Sequence, residues 1–216
     1  QGIKRGIMEM ADLVVITKAD LVDPEWLEMM KEDVAQQVKG TFLEGKPIMT
    51  CSAYTGQGID ELREHLRLLV QQAAEKSARV PFRLPVDRVF SVDGFGTVVT
   101  GTLIEGCITD GETAELVPSG LTAKVRNLQV HGKDVETAYA GQRVAINLAG
   151  LKKTEVQRGD TVVRPGSVRS SLMLDVRLRV LPSSNRVIDN RTRLHLFTGT
   201  SEVLCRAVLL DKDEIG

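Results

Sequence analysis

The spacing of apolar residues changes between residues 73 and 85, and this change restricts what the chain can fold into. Before it, apolar residues recur at helical spacing between short, continuous apolar runs. After it, apolar and polar residues alternate in short segments separated by glycines. Because these periods are typical of helices and of half-buried strands, we predict an α/β part followed by an all-β part. The predicted divisions are 1–76 for the α/β part, 77–84 for a linker, 85–166 for a β-barrel and 167–216 for the truncated start of another barrel.

The α/β part has the order strand, helix, strand, helix. Residues 13–16 and 47–51 are apolar runs typical of buried parallel strands. Asp23 followed by Pro24 predicts a helix start, because aspartate caps helices and proline fits their first turn. The apolar stripes of the two helices are Trp26, Met30, Val34 and Val38, then Ile59, Leu62, Leu66, Leu69 and Val70. This order predicts the end of a doubly wound sheet, where ligands bind beyond the carboxyl ends of strands.

The all-β part contains at least five alternating segments before residue 166. They are residues 86–92, 96–104, 113–117, 123–130 and 143–148, with turns predicted at 93–94, 110–111, 119–120 and 141. Short strands at such intervals predict a small closed barrel. Three further strands, 172–181, 194–197 and 203–210, are too few to close and predict an open sheet.

Two short polar sequences follow the predicted strands of the α/β part. Thr17, Lys18 and Asp20 come after the first strand, and Ser52 and Ala53 come after the second. A carboxylate such as Asp20 can accept hydrogen bonds from N1 and N2 of guanine, and backbone N–H groups near Ser52 can donate to O6. Adenine offers no such pair of donors. The sequence therefore predicts a guanine-nucleotide site, with the Lys18 stem along the ring and Thr17 where many GTPases have asparagine.

The phosphate half of such a site is missing from the sequence. No glycine-rich loop ending in Lys-Ser or Lys-Thr occurs in the 216 residues. We therefore expect a fragment of a longer protein that uses GTP or GDP with Mg²⁺. We expect the fragment itself neither to hydrolyse GTP nor to bind it tightly, and we assign it no catalytic residue.

Composition narrows the class of protein further. The chain has no apolar stretch long enough to span a membrane and no secretion signal, so we expect a cytoplasmic protein without a membrane partner. Its three cysteines and three histidines lack the spacing of metal ligands, and no metal site is predicted. Lysine and arginine outnumber acidic residues between 152 and 193, which fits either a surface for a polyanion or an ordinary solvated face.

Three sequence runs carry a resemblance to a known family. They are RVFSVDGFGTVVTG at 88–101, GQRVA at 141–145 and RGD at 158–160. Together they resemble the second domain of translational GTPases, and within that superfamily the bacterial selenocysteine-specific elongation factors. The resemblance implies the C-terminal part of a P-loop GTPase domain followed by translation-factor barrels, GTPase activity in the full-length protein, and selenocysteinyl-tRNA and the ribosome as partners. An mRNA hairpin is a further expected partner, through a C-terminal extension.

The resemblance also implies a pocket for the selenocysteinyl group, formed by Asp87, Arg88 and Arg143. A selenol is far more acidic than a hydroxyl, so the esterified selenocysteine is an anion at neutral pH while its serine precursor is neutral. Guanidinium groups stay charged at physiological pH and would favour the anion. The alternative is that Asp87 and Arg88 form an exposed ion pair at a strand edge, which would contribute little to the stability of the fold.

Two other functions remain open from the sequence. The same fold could serve another translational GTPase, such as an initiator-tRNA factor. Residues 1–16, with Ile3, Ile7 and Met10 on one helical face, resemble a GTPase chaperone associated with methylmalonyl-CoA mutase. The rest of the chain does not resemble that chaperone, so we regard it as the weaker alternative.

Overall fold

A computed structural model of the chain describes residues 11–72, 77–92, 96–181 and 184–216. The predicted helical face in residues 1–10 and the predicted turn at 93–94 lie outside these residues. The chain divides into two compact units, and the three-part division predicted above stays a prediction. The first unit comprises Gln1–Ala74, Leu178–Asp189 and Asp211–Gly216, and the second comprises Glu75–Arg177 and Asn190–Leu210.

The first unit contains the predicted strand, helix, strand, helix order. Its elements are β1 (Val14–Ile16), a 3-10 turn (Ala19–Leu21), α1 (Pro24–Gln37), β2 (Ile48–Thr50) and α2 (Ile59–Gln72). The strands β1 and β2 are parallel and in register along their whole length. Their carboxyl ends therefore lie side by side, as the sequence predicts for this sheet.

The helix α1 buries a different face from the predicted stripe. Trp26 is 52% exposed, whereas Leu27 is 7% and Val38 is 3% exposed. A repeat of four residues drifts around a helix whose period is 3.6, so the stripe begins on the solvent side at Trp26 and reaches the packed face only at Val34 and Val38. Leu27, Val34 and Val38 follow the helical period and form the packed face.

The start of α1 is capped as predicted. The Trp26 backbone N–H donates to Asp23 Oδ1 over 2.8 Å, and Pro24 occupies the first turn. We expect Asp23→Ala to destabilise the helix by about 1 kcal/mol, because an N–H at the helix start loses its acceptor. Hydrogen exchange of the α1 amides measures this change. Asp33→Ala, an exposed aspartate in the middle of the same helix, is the matched control, and an equal effect of the two variants would contradict the capping role.

The second unit contains a closed barrel of six strands, as predicted. Its strands are β3 (Arg83–Val92), β4 (Gly96–Thr102), β6 (Thr113–Val117), β7 (Leu121–Val130), β10 (Arg143–Ala149) and β11 (Thr161–Val163). They run in the order β10, β4, β3, β11, β6 and β7, and β7 pairs again with β10 to close the barrel. The strand β8 (Lys133–Val135) extends the sheet beside β7, and β5 (Cys107–Thr109) pairs with β9 (Thr137–Tyr139).

Alternating side chains of these strands fill the barrel. The core is aliphatic apart from Phe82, and its members include Leu84, Val86, Val99, Leu116, Val125, Leu128, Val144, Ile146, Leu148 and Val162. Since inward and outward residues alternate along every strand, the polar residues between them face outward. The outer face of the barrel is thus where functional side chains can be presented.

The chain after the barrel is less regular than predicted. A hairpin forms from β13 (Arg193–Thr198) and β14 (Ser201–Arg206), close to two of the predicted strands. A short pair joins β12 (Ile188–Asp189) to β15 (Glu214–Ile215). The strand predicted at 172–181 is wrong: these residues form neither a strand nor a helix. Among the described residues no neighbouring strand pairs with this segment, and a strand needs a partner for its backbone hydrogen bonds.

No helix in the described ranges has the length and apolar character needed to cross a membrane.

Candidate functional site

A β-bulge in β3 places Asp87 on the outer face of the barrel. Val86 lies opposite Gly101 of β4 and Arg88 lies opposite Thr100, so Asp87 is the extra residue. Such bulges change the direction of a side chain and are common next to functional sites. Asp87 points to the same side of the sheet as Thr100, whose hydroxyl donates to Asp87 Oδ1 over 2.9 Å.

The backbone around the bulge is closely packed beneath Asp87. A Cβ atom at Gly101 would lie 2.2 Å from the Pro85 carbonyl oxygen and 2.6 Å from Leu84 Cδ2. Only glycine fits at this point of β4, because β3 bends toward it at the bulge. Gly101 therefore permits the backbone geometry that presents Asp87.

Arg143 reaches Asp87 from the strand on the other side of β4. It lies on β10 opposite Thr102, and β4 separates β10 from β3. Its guanidinium donates to both carboxylate oxygens of Asp87, with Nη2 at 2.9 Å from Oδ1. The side chains of Arg143 and Asp87 are 52% and 23% exposed. A two-point ion pair thus spans the middle strand and remains open to solvent on its arginine side.

The surroundings of Asp87 favour its ionised form. Partial burial alone would raise the pKa of Asp87, but hydrogen bonds from Arg143 and Thr100 and the charges of Arg143 and Arg88 lower the pKa below its usual value. The hydrogen bond to Asp87 correspondingly raises the pKa of Arg143. The cluster therefore contains one negative and two positive groups at neutral pH.

The ion pair should make stability depend on pH in a defined direction. Because the pKa of Asp87 is lower in the folded chain, the pair stabilises the fold above the unfolded-state pKa, about 3.9. That stabilisation is lost as the pH falls through the folded-state value. We expect Asp87→Asn to lower the free energy of unfolding by up to about 1 kcal/mol at pH 7 and by less at pH 3. Urea unfolding at both pH values measures this, and a pH-independent difference would contradict it.

Arg88 has no ion-pair or hydrogen-bond partner for its side chain within the described residues, and it is exposed beside the pair. Its position opposite Thr100 places it on the same outer face as the Asp87 carboxylate. The structure thus brings together all three residues implied by the resemblance. Arg143, which is 56 positions away in sequence, is the one that bonds Asp87 directly.

Sequence reasoning missed Thr100 and Gly101 as parts of this site. The sequence feature that could have indicated them is Gly101 itself, because a glycine inside an alternating segment often marks a bulge or a close backbone approach. The hydroxyl of Thr100 orients the Asp87 carboxylate, and Gly101 makes room for the bulge. Both residues support the ion pair and leave Arg88 free.

The other candidate site lies at the paired ends of β1 and β2. The Ala19 N–H donates to the Cys51 carbonyl oxygen over 3.1 Å, which joins the two polar sequences. Asp20 is exposed within the 3-10 turn that follows. Lys18 precedes the turn in a left-handed conformation, with φ 60° and ψ 39°. This conformation turns the chain out of β1 and leaves the Asp20 carboxylate accessible.

Ser52 and Ala53 have different environments. Ser52 is fully buried, its N–H donates to the Gln57 carbonyl oxygen, and its Oγ accepts from the N–H groups of Tyr54 and Thr55. Ala53 is exposed, and its N–H has no partner within the described residues. Ser52 therefore shapes the loop, and Ala53 is the one of the two with a free backbone donor. Thr17 is exposed at the end of β1.

Within the described ranges, no group of three or more histidine, cysteine, aspartate or glutamate residues is arranged to hold a metal ion.

Two protein families match parts of the sequence. The family described as elongation factor Tu domain 2 matches residues 96–163, which lie almost entirely in the barrel. The methylmalonyl Co-A mutase-associated GTPase MeaB matches residues 1–83, a longer stretch than the resemblance in residues 1–16 indicated. Each match covers less than half of the chain.

Longer matches cover both parts together. A selenocysteine-specific elongation factor of Desulfomicrobium baculatum is 44% identical over 95% of this chain and 32% of its own length. The crystal structure of a bacterial selenocysteine-specific elongation factor, EF-Sec, gives a TM-score of 0.75 at 29% identity, over 94% of this chain and 34% of that one. The chain thus spans about a third of the length of these relatives.

A third match concerns a nucleotide complex. Translation elongation factor SelB from Methanococcus maripaludis, in complex with the GTP analogue GPPNHP, gives a TM-score of 0.69 at 25% identity over 94% of this chain and 46% of that one. These matches confirm the fold class predicted from the sequence and favour the elongation-factor interpretation over the chaperone alternative. The chain is homologous to part of the selenocysteine-specific elongation factors, within the translational GTPases.

Proposed function

We propose that this chain carries the cargo-recognition barrel and part of the guanine site of a GTP-dependent factor that delivers selenocysteinyl-tRNA to the ribosome. The observation that carries the proposal is the cluster of Asp87, Arg88 and Arg143 on one outer face of the barrel. The names of the relatives support the same function. The family resemblance implies that these three residues recognise the selenocysteinyl group. Their shared position on the barrel supports that role.

The charge of the cluster supports selection of an anion. Arg88 and Arg143 together outweigh Asp87 by one positive charge at neutral pH. A selenolate would compensate this charge, whereas the hydroxyl of a seryl group would not. Arg88 is unpaired and exposed, so it can contact an anion without first breaking an ion pair. Asp87, which accepts a hydrogen bond from the Thr100 hydroxyl, holds Arg143 in place, and this reduces the cost of ordering a long side chain on binding.

The residues at the ends of β1 and β2 fit the base of GTP or GDP. The exposed Asp20 carboxylate offers two acceptors for N1 and N2 of guanine, and the free N–H of Ala53 offers a donor for O6. Lys18 provides an aliphatic stem for the ring face. A bound nucleotide with Mg²⁺ supplies the hydrolysable phosphate that makes delivery GTP-dependent. The residues of this chain recognise the base.

Binding of three aminoacyl-tRNAs to the 216-residue protein tests the proposal. At pH 7 we expect selenocysteinyl-tRNA to bind more tightly than both cysteinyl-tRNA and seryl-tRNA. The cysteinyl group has nearly the size of the selenocysteinyl group, but with a pKa of about 8.5 it is mostly neutral at pH 7. It therefore separates recognition of charge from recognition of size.

Each outcome has a defined meaning. Equal binding of cysteinyl-tRNA and selenocysteinyl-tRNA would contradict recognition of the anion. Equal binding of all three would contradict the proposed function. Because contacts to tRNA phosphates are common to all three ligands, comparing them at one fixed salt concentration removes that contribution.

A further inference from the structure

The tip of the hairpin β13–β14 contacts the barrel directly behind the bulge of Asp87. The Thr200 hydroxyl donates to the Val86 carbonyl oxygen over 2.6 Å, across 114 positions of sequence. Val86 is fully buried and immediately precedes Asp87. This hydrogen bond joins a segment outside the barrel to the backbone that presents the candidate cargo residue.

The same carbonyl oxygen has a second donor. The Gly159 N–H donates to it over 3.0 Å, and the Val86 N–H donates to the Asp160 carbonyl oxygen over 2.8 Å. A carbonyl oxygen accepts two hydrogen bonds when both lone pairs are used. The peptide plane between Val86 and Asp87 is thus held from two directions, by the chain before β11 and by the hairpin.

Holding this plane determines the direction of Asp87. The Val86 carbonyl and the Asp87 N–H belong to one planar peptide group, so fixing the carbonyl fixes the start of residue 87. Asp87 is also the bulge residue, which has no residue opposite it on β4 to set its orientation. Side-chain contacts with Thr100 and Arg143 and the restrained peptide plane therefore position the carboxylate.

The hairpin tip is shaped for this contact. Gly199 has a φ of +57°, and a Cβ atom there would lie 3.3 Å from Pro85 Cβ. On the other side, a Cβ atom at Gly159 would lie 3.2 Å from Ser201 Cα. Glycines at these two positions let the tip approach the barrel closely enough for the Thr200 hydroxyl to reach the Val86 carbonyl.

We propose that Thr200 is a positioning residue for cargo selection, acting through the Val86 carbonyl to hold Asp87 in its ion pair with Arg143. The inference rests on the proposed function for its effect on selectivity. It also implies that the hairpin and the pocket are energetically coupled, so that movement of the hairpin tip would change the discrimination between cargoes.

The first test needs no tRNA. The carboxyl carbon of Asp87 is titrated by NMR in the wild-type 216-residue protein and in Thr200→Val, which keeps the shape and removes the donor. We expect a higher pKa for Asp87 in Thr200→Val, because the ion pair with Arg143 loosens. Thr200→Ser restores the hydroxyl and should restore the pKa. Thr198→Val removes a hydroxyl from an exposed threonine of the same hairpin and should leave the pKa unchanged.

The second test measures the ratio of affinities for selenocysteinyl-tRNA and cysteinyl-tRNA in the same variants. We expect Thr200→Val to lower this ratio about fivefold, as expected for loss of one hydrogen bond, and Thr200→Ser to retain it. An unchanged Asp87 pKa in Thr200→Val would overturn the inference. If the wild-type protein prefers selenocysteinyl-tRNA, a Thr200→Val variant with a shifted Asp87 pKa but an unchanged affinity ratio would also overturn the inference.

The two tests separate this inference from the proposed function. A wild-type protein without any cargo preference would contradict the proposed function, and the Asp87 titration would still decide whether Thr200 positions the carboxylate. If Thr200→Val fails to fold, Gly199→Ala allows the same titration, because its Cβ pushes the tip away from Pro85 and so moves the unaltered Thr200 hydroxyl away from the Val86 carbonyl. We expect the Asp87 pKa to rise in that variant too, and no rise would overturn the inference.

Discussion

Replacing Arg143 with alanine should abolish most of the preference for selenocysteinyl-tRNA over cysteinyl-tRNA. The variant removes one of two positive groups and leaves the Asp87 carboxylate beside Arg88, so the cluster has no net positive charge to offer an anion. A charge pair at 4 Å contributes about 4 kcal/mol at an effective dielectric constant of 20, before desolvation is subtracted. Since the arginine side chain is 52% exposed, we expect about 1.4 kcal/mol to remain, which is about tenfold in the affinity ratio.

The ratio of the two affinities is the quantity to measure, and Arg126→Ala is the matched control. Arg126 is an exposed arginine on β7 of the same barrel. Losing it would weaken any phosphate contact equally for both tRNAs and leave their ratio unchanged. Arg143→Lys keeps the charge but loses the two-point contact with Asp87, so an intermediate ratio is expected. A ratio for Arg143→Ala that equals the wild-type value would remove Arg143 from the cargo site.

Replacing Gly101 with alanine should have the largest effect on stability. The new Cβ atom would overlap the Pro85 carbonyl oxygen, at 2.2 Å, and Leu84 Cδ2, at 2.6 Å. The Pro85 backbone and the fully buried Leu84 side chain cannot both move away from the new Cβ atom without separating β3 from β4. We expect a loss of about 3 kcal/mol in the free energy of unfolding, measured by urea denaturation of the barrel.

The control for this prediction is the next residue on β4. Thr102 is exposed, and Thr102→Ala should change the free energy of unfolding by less than about 0.5 kcal/mol. Gly101→Ala should also raise the pKa of Asp87 where the variant remains folded, because the bulge can no longer keep its geometry. A Gly101→Ala protein as stable as Thr102→Ala would show that β3 can shift without loss of stability, contrary to the close packing of Gly101 against Pro85 and Leu84.

Features that depend on local chemistry could be predicted from the sequence. The helix start at Asp23 and Pro24 follows from capping, and the closed barrel follows from alternation and turn residues. The juxtaposition of Asp20 with Ser52 also follows from the sequence, because parallel strands end at one edge of a sheet. The fold class, and the family predicted from the resemblance, are confirmed by the similarity to known elongation factors.

Features that depend on contacts distant in sequence could not be predicted. The exposed position of Trp26 is decided by which side of α1 meets the sheet, and a stripe of four residues does not specify that side. Residues 172–181 form no strand, because a strand needs a neighbouring strand to pair with, and the propensity of the residues does not show whether one is present. The bulge at Asp87 depends on the close approach of Pro85 to Gly101, visible in sequence only as an interior glycine. The assignment of roles to Asp87, Arg88 and Arg143 stays a proposal.

Because Asp87 and Arg143 lie on strands separated only by β4, the distance between their backbones is determined by two interstrand spacings, each about 4.8 Å. A closed barrel holds these spacings through hydrogen bonds on both sides of every strand. Neither residue belongs to a loop that could reorganise around a ligand. In the proposed function, this wall is therefore a template whose width is set by the sheet, and the peptide group after Val86, which the hairpin tip contacts, is the point at which its cargo preference can change.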